Sequence, residues 1–563
     1  MEIYLNKRAV VFCVLLLVIL SLLYSTTFHA PFNFDDEVVI KFEVVQKGAH
    51  DWFGKLYPPK YRHLFYSSLI FNYSKGQLNP FGYHLVNTSL HFFTSIVIFF
   101  IAFITIKKGL SLNKKEALSI AGITTLLFSI NPVHSETVNY ISARAVGLSS
   151  FFYLSALLSF ILGSFRERKP LPRFLLYVST LICFLASILS KETALTFPIV
   201  LLLYDVCFMR NDYWAPLKNR LLFFYLPLFL CAILAVLKIL SFKDLIVDFW
   251  QRINVGYGLK QIQIIGHGAR LILLPIGLTF DYDFPNTFFA TNTLLITTFL
   301  FALGIILTIA LYFPKRLMLV SFCFFWFLIT LAPTNSIFPR ADLLSERNLY
   351  LPSFGILFLL AITIHRLVLA NHNQLVVKKI GAYCLIIFFI FQIMLLHKRN
   401  MLYRSNILLW EDTLEKAPKN LQALHNLSHF YISGKNYKQA FDVLKTLTKS
   451  NASPHYISYA HSNLGTLYMQ KGKYLKAEAE FKMGINAKPS LPTNHLNLGT
   501  VLALQGRYLE AKDAYKKTEI LYSQYRWGYL HRLPPDFFLN KARLMLTLGL
   551  YEEAKKSAST SQS

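Results

Sequence analysis

Long apolar runs separated by short polar, mostly basic segments fill residues 9 to 396, and after them the pattern turns polar with a helical period. Runs near 9–26, 84–106, 117–131, 137–163, 172–190, 192–209, 220–241, 292–313, 317–333, 349–368 and 378–396 are predicted to cross a bilayer. The stretch 258–278 is a doubtful twelfth, since it holds His267 and Arg270 and reaches Pro275. Charge asymmetry arbitrates. With a cytoplasmic N-terminus, the clusters Lys107/Lys108/Lys114/Lys115, Arg166/Arg168/Lys169/Arg173 and Arg210/Lys218/Arg220 all fall on the cytoplasmic side. Keeping Lys315/Arg316 and Arg366/Lys378/Lys379 there as well requires 258–278 to enter and leave on the outer side. The expectation is therefore about eleven spans plus one re-entrant or surface-lying helix, with the C-terminal domain outside. The first run follows Lys7 and Arg8 but has no clear small-x-small cleavage site, so it is read as an uncleaved first helix.

Residues 397–563 repeat. Asn463-Leu464-Gly465 recurs at Asn497-Leu498-Gly499, and Gly472, Tyr474 and Ala477 recur at Gly506, Tyr508 and Ala511, each 34 positions on. That period is the tetratricopeptide signature. A looser copy precedes it (Asn426, Leu427, Tyr437, Ala440), and a partial one follows (Gly549, Tyr551, Ala554). The predicted fold class is all-α: a polytopic transmembrane helical bundle over 1–396, then a tetratricopeptide-repeat solenoid over 397–563. Such a solenoid binds by its groove, so a protein captured by the repeats is an expected partner.

Composition agrees. The 563 residues are 54% hydrophobic and only 15% charged, with a mean hydropathy of +0.42, too apolar for a soluble protein. The net charge of +27 sits in loop clusters that set topology or meet anionic membrane lipid, so no nucleic-acid partner is expected. All six cysteines lie in apolar segments, so no disulfide framework or cysteine metal site is expected.

Candidate chemistry gathers at one face. By the same parity, FNFDDE (32–37), NPVHSETVNYISAR (131–144), SKE (190–192), DYDFP (281–285) and PRADLLSERNLYLP (339–352) all lie at outer helix ends. Ionisable residues collected at one membrane face read as a site. Desolvation and crowding there suit one acid of the triplet to proton abstraction, although three acids after an apolar run also simply mark the water boundary.

These blocks, with LNPFGYHLVNTSLH (78–91), LLPIGLTFDYDFP (273–285), ERNLYLPSFG (346–355) and WEDTLEKAPKN (410–420), resemble the transmembrane and tetratricopeptide-repeat O-mannosyltransferases and their bacterial relatives, within the GT-C superfamily of glycosyltransferases. The resemblance implies a GT-C type bundle with a catalytic first outer loop at about 27–83. It also implies inverting transfer of a sugar, a mannose-like hexose favoured, from a polyprenyl-phosphate carrier to a hydroxyl, such as Ser or Thr of a protein. The catalytic acid it points to is Asp35 or Asp36; Asp35 is favoured as base, with Asp36 turned to orient it or another loop. Cations must meet the leaving phosphate, and the candidates are Arg62, Arg144, Arg270, Arg347 and Lys191. Glu192 and Glu346 stand beside them in the same blocks. His134, Glu136, Asp281 and Asp283 could instead ligate a divalent metal, but none is favoured, because the branch resembled works without one. Glu136 is alternatively a partner for Arg144, and Asp281 a helix cap.

The chain departs from the family it resembles, whose members tend to show Arg-Pro where it has Arg62-His63 and an acid shortly after the Arg144 position where it has Ala145-Val146. The competing reading is a non-catalytic multi-pass scaffold whose repeats bind envelope or secretory proteins. The lack of a retention tail and the short repeat domain favour a bacterial inner membrane over endoplasmic reticulum.

Overall fold

The structure is a computed structural model describing residues 7–41, 45–46, 62–209, 214, 217–226, 228–230, 254–289, 315–340, 342–370, 375–450, 452–524 and 535–562. The chain divides into two compact units, Met1–Ser405 and Asn406–Ser563. Among the described residues both are helical, with one isolated bridge between Phe165 and Trp214.

The first unit is a bundle of apolar helices: α1 (Lys7–Tyr24), α2 (Asp36–Ile40), α3 (His63–Gly76), α4 (Pro80–Ile104), α5 (Lys114–Ser129), α6 (Ser135–Asn139), α7 (Arg144–Gly163), α8 (Pro170–Ser190), α9 (Phe197–Phe208), α10 (Leu217–Arg220), α11 (Val255–Leu273), α12 (Asn286–Phe289), α13 (Lys315–Leu331), α14 (Ser353–Ile364) and α15 (Leu375–Leu402). Their starts are written in the sequence. The Asn79 side chain accepts from Phe81 N ahead of Pro80, and Asn113 with Glu116 closes a reciprocal capping box. Among the described residues five helices are long and apolar enough to cross a membrane, or six if the bent pair Lys114–Ser129 and Pro132–Asn139 is one span. The chain is an integral multi-pass membrane protein. The run at 292–313 and most of that at 220–241 lie outside the described residues.

Two runs differ from the pattern reading. The run 137–163 is not one helix: α6 and a 3-10 turn, Ile141–Ala143, precede α7. Asn131, whose side chain accepts from Val133 N, and Pro132 turn the chain here, and residues 132–141 are all buried. The run 192–209 opens with a 3-10 turn, Glu192–Thr196, leaving α9 only 12 residues. The doubtful stretch 258–278 forms α11, which ends before Pro275.

The second unit is a stack of helix hairpins: α16 (Asn406–Lys416), α17 (Leu421–Ser433), α18 (Tyr437–Thr448), α19 (Pro454–Gln470), α20 (Tyr474–Ala487), α21 (Pro492–Leu504), α22 (Tyr508–Gln524), α23 (Pro535–Thr547) and α24 (Tyr551–Gln562). Small residues stand where paired helices cross. A methyl group on Gly465 would come within 2.4 Å of the Phe481 ring, and one on Gly499 within 2.7 Å of Tyr515.

Candidate functional site

The acidic triplet splits at its second residue. Asp36 is fully buried and its carboxylate is saturated. Oδ2 accepts from Asn33 N (3.1 Å) and Ile141 N (3.2 Å), and Oδ1 accepts from Ser142 N and Ser142 Oγ, both at 2.6 Å. Burial pushes its pKa up to about 7, against the pull of those donors. Asp36 thus pins the first loop to a turn more than a hundred residues on. Asp35 is exposed, and Phe34 before it has a left-handed backbone (φ +48°), which is uncommon for an aromatic residue. The Phe34 ring packs edge-on against Phe280, 6.1 Å between centroids. Partial burial raises the Asp35 pKa, while the Tyr140 hydroxyl and the Arg347 guanidinium pull it back.

A second buried acid organises the neighbouring wall. Glu136 accepts from Ser345 Oγ (3.2 Å), Arg347 N (2.9 Å) and the Arg347 guanidinium, which also reaches Asp342 (3.2 Å) and lies over the Tyr140 ring (5.8 Å). The guanidinium partner of Glu136 is therefore Arg347 and not Arg144. Glu346, fully buried, is held by Tyr282 Oη (3.0 Å) and by Arg399 (3.3 Å). The same 3-10 turn, Glu346–Leu349, carries Asn348, whose Oδ1 accepts from Lys191 Nζ at 3.1 Å. Lys191 is buried, and burial together with Arg347 and Arg62 lowers its pKa to about 7. Arg62 grips Glu192 with two bonds (2.9 and 3.2 Å); burial opposes ionisation of that acid, but Arg62 wins and holds it below the usual carboxylate range.

Other candidates are engaged elsewhere. Arg144 is fully buried among neutral acceptors: Asn87 Oδ1 and Asn72 Oδ1 (both 2.6 Å), Tyr83 O (2.9 Å) and Ser68 O (3.2 Å). It fastens α3 and α4 to α7. His134 sits between Phe128 O (2.8 Å) and Ser353 Oγ (2.9 Å), which fixes the proton on Nδ1. Arg270 is exposed and donates to Ile276 O (3.2 Å), closing the end of α11. Asp281 is half-buried and Asp283 exposed, and the short helix after them starts only at Asn286, so Asp281 is not its cap. Among the described residues no three His, Cys, Asp or Glu side chains converge as metal ligands, so His134, Glu136, Asp281 and Asp283 do not form one set.

Sequence reasoning missed Arg399, which follows an apolar run and looks like a water-boundary cation, though it is buried against Glu346. It also missed Asn348 and the roles of Tyr140 and Ser142, which lie inside segments already singled out.

No protein-family model matches the chain. It is 25% identical over 467 residues to protein O-mannosyl-transferase TMTC3 of Mus musculus, and equally to that of Homo sapiens, each comparison covering 77% of this chain and 48% of the relative. The chain spans about half the length of these curated relatives. Its homologues are thus protein O-mannosyl-transferases, in line with the blocks quoted above. A solved structure titled as ArnT from Cupriavidus metallidurans bound to undecaprenyl phosphate is also similar, at 13% identity and a TM-score of 0.39, over 92% of this chain and 80% of that one.

Proposed function

We propose that the chain is a membrane glycosyltransferase that moves a mannose-like hexose from a polyprenyl-phosphate carrier to a hydroxyl, Ser or Thr of a protein, with Asp35 as general base. The observation that carries this reading is the split acid pair: Asp36 is consumed in four hydrogen bonds, and Asp35 beside it stays open to solvent. The names of the homologues support the same chemistry.

In the reaction the acceptor oxygen bonds to the sugar's anomeric carbon as the bond from that carbon to the carrier phosphate breaks. The phosphate leaves with the electron pair, Asp35 takes the hydroxyl proton, and the configuration inverts. Charge growing on the phosphate falls to Lys191, supported by Arg347 and Arg62 and requiring no metal ion. The bundle (1–405) performs the transfer on the extracytoplasmic side, and the repeats (406–563) hold the acceptor protein.

The test uses purified full chain, labelled polyprenyl-phosphate hexose and a hydroxyl-bearing protein acceptor. Transfer by wild type that falls about 10²–10⁴-fold in Asp35→Asn supports the reading. Equal transfer by both removes the general base, and no transfer by wild type to any hydroxyl acceptor favours the scaffold.

A further inference from the structure

The hairpin turns of the solenoid repeat in three dimensions as well as in sequence. Gly472, Gly506 and Gly549 each hold a left-handed turn (φ +71°, +79° and +75°), so residues at equal distances after them occupy equivalent places. Three positions on stand Leu475 and Leu509, 77% and 73% exposed. Around the same turns Tyr551 is 70% exposed, Leu504 and Leu546 are each 53% exposed, and Tyr508 is exposed as well. Helix α20 buries Ala477, Phe481 and Gly484, so Leu475 lies off the face that packs. Exposed leucines 34 residues apart recur at two of the three turns, the third carrying Glu552, and such a pair in water calls for a partner.

The setting of this edge identifies the partner. Lys471, Lys473 and Lys476 stand exposed around Leu475, and Arg543 lies near Leu546. Residues 406–563 carry 21 Lys and Arg against 12 Asp and Glu. The rim is basic at Leu475 and mixed at the later turns, where Glu510 pairs with Arg507 and Glu552 and Glu553 follow Tyr551, so lysine-rimmed leucine suited to an anionic headgroup layer is concentrated at the first turn. The chain leaves its last apolar helix at Leu402 and enters α16 at Asn406, so the repeats are tethered to a membrane segment by a short stretch of chain. We propose that this turn edge docks on an anionic lipid surface, with Leu475 and Leu509 inserted among the headgroups. The proposal stands independently of the transfer reading.

The test uses the full chain in lipid nanodiscs of phosphatidylcholine, with or without phosphatidylglycerol. An environment-sensitive fluorophore is attached at Leu475→Cys, Leu509→Cys or, beyond the far end of α20, Ser490→Cys, with unsubstituted protein giving the background of native cysteines. With nitroxide quenchers in the headgroup region, labels at 475 and 509 are expected to lose roughly half their emission in anionic discs, and less in high salt, while the label at 490 keeps its own. Unlabelled wild type should show slowed amide exchange at 472–480 and 506–514 in anionic discs relative to detergent, and Leu475→Asp/Leu509→Asp should lose that protection. Equal quenching at all three sites, or none together with unslowed exchange, overturns the proposal. Protection that instead grows with protein concentration in detergent assigns the edge to a second copy and overturns it too.

Discussion

Two ion-bearing regions of the bundle treat their charges in opposite ways. Asp205 on α9 and Arg220 at the end of α10 are both buried and meet through two bonds, 2.6 and 2.9 Å, with Tyr225 Oη adding a third at 2.9 Å. In the region of Asp35, Asp36 and Glu136 are satisfied just as fully, but two groups are left open. Asp35 faces solvent, and the buried Lys191 Nζ donates, among the described residues, to a neutral oxygen of Asn348. Burying a charge without a counter-charge is costly, so saturated pairs are explained by folding, while an exposed carboxylate and a buried amine held by a neutral oxygen are the groups left for a ligand.

The comparison breaks most visibly if the saturated pair is opened. Asp205→Ala leaves Arg220 buried without its acid and should destabilise the bundle by about 3–5 kcal/mol, lowering the unfolding midpoint in detergent while transfer per folded molecule is kept. A loss of turnover in molecules that remain folded would put that pair in the chemistry. On the proposed reading, Lys191→Met should keep the fold and lower kcat/KM about 10²-fold, read with labelled donor, because the leaving phosphate would lose the cation assigned to it.

The pH profile sharpens the same contrast. A base must be ionised, and the Asp35 pKa is raised, so kcat/KM should climb with pH through a midpoint above the ordinary carboxylate value of about 4. It should fall again as Lys191 loses its proton near about 7, and Lys191→Arg should move that alkaline limb upward. A flat profile over that range would remove both groups from the rate law. The smallest effect expected is that of chelation: stripping divalent metal from purified protein should change the rate by less than about twofold, whereas a metal mechanism predicts its loss.

Much of the fold was legible because hydrophobic runs and a 34-residue period are local signals. The break at 131–143 was not, since 137–163 reads as one apolar run and only Asn131-Pro132 hints at the turn. The triplet was visible as chemistry, but which acid stays free was not. That choice depends on Ser142, 106 residues away, and on the left-handed Phe34. Arg144 looked like a phosphate ligand because its acceptors, Asn72 and Asn87, lie 72 and 57 residues distant. Spacing cannot show that an arginine's fork is already filled.

The account turns on one carboxylate being free to react while its neighbour holds the loop, and Asp35→Asn and Asp36→Asn test that division when transfer rate and thermal unfolding are measured on the same preparations. Asp35→Asn should keep the wild-type midpoint and lose transfer about 10²–10⁴-fold. Asp36→Asn sets an amide against the donors of Ile141 and Ser142 and should lose about 1–3 kcal/mol of stability, seen as a lower midpoint. An Asp35→Asn protein that transfers at the wild-type rate, beside an Asp36→Asn protein that is fully stable and inactive, would contradict the account.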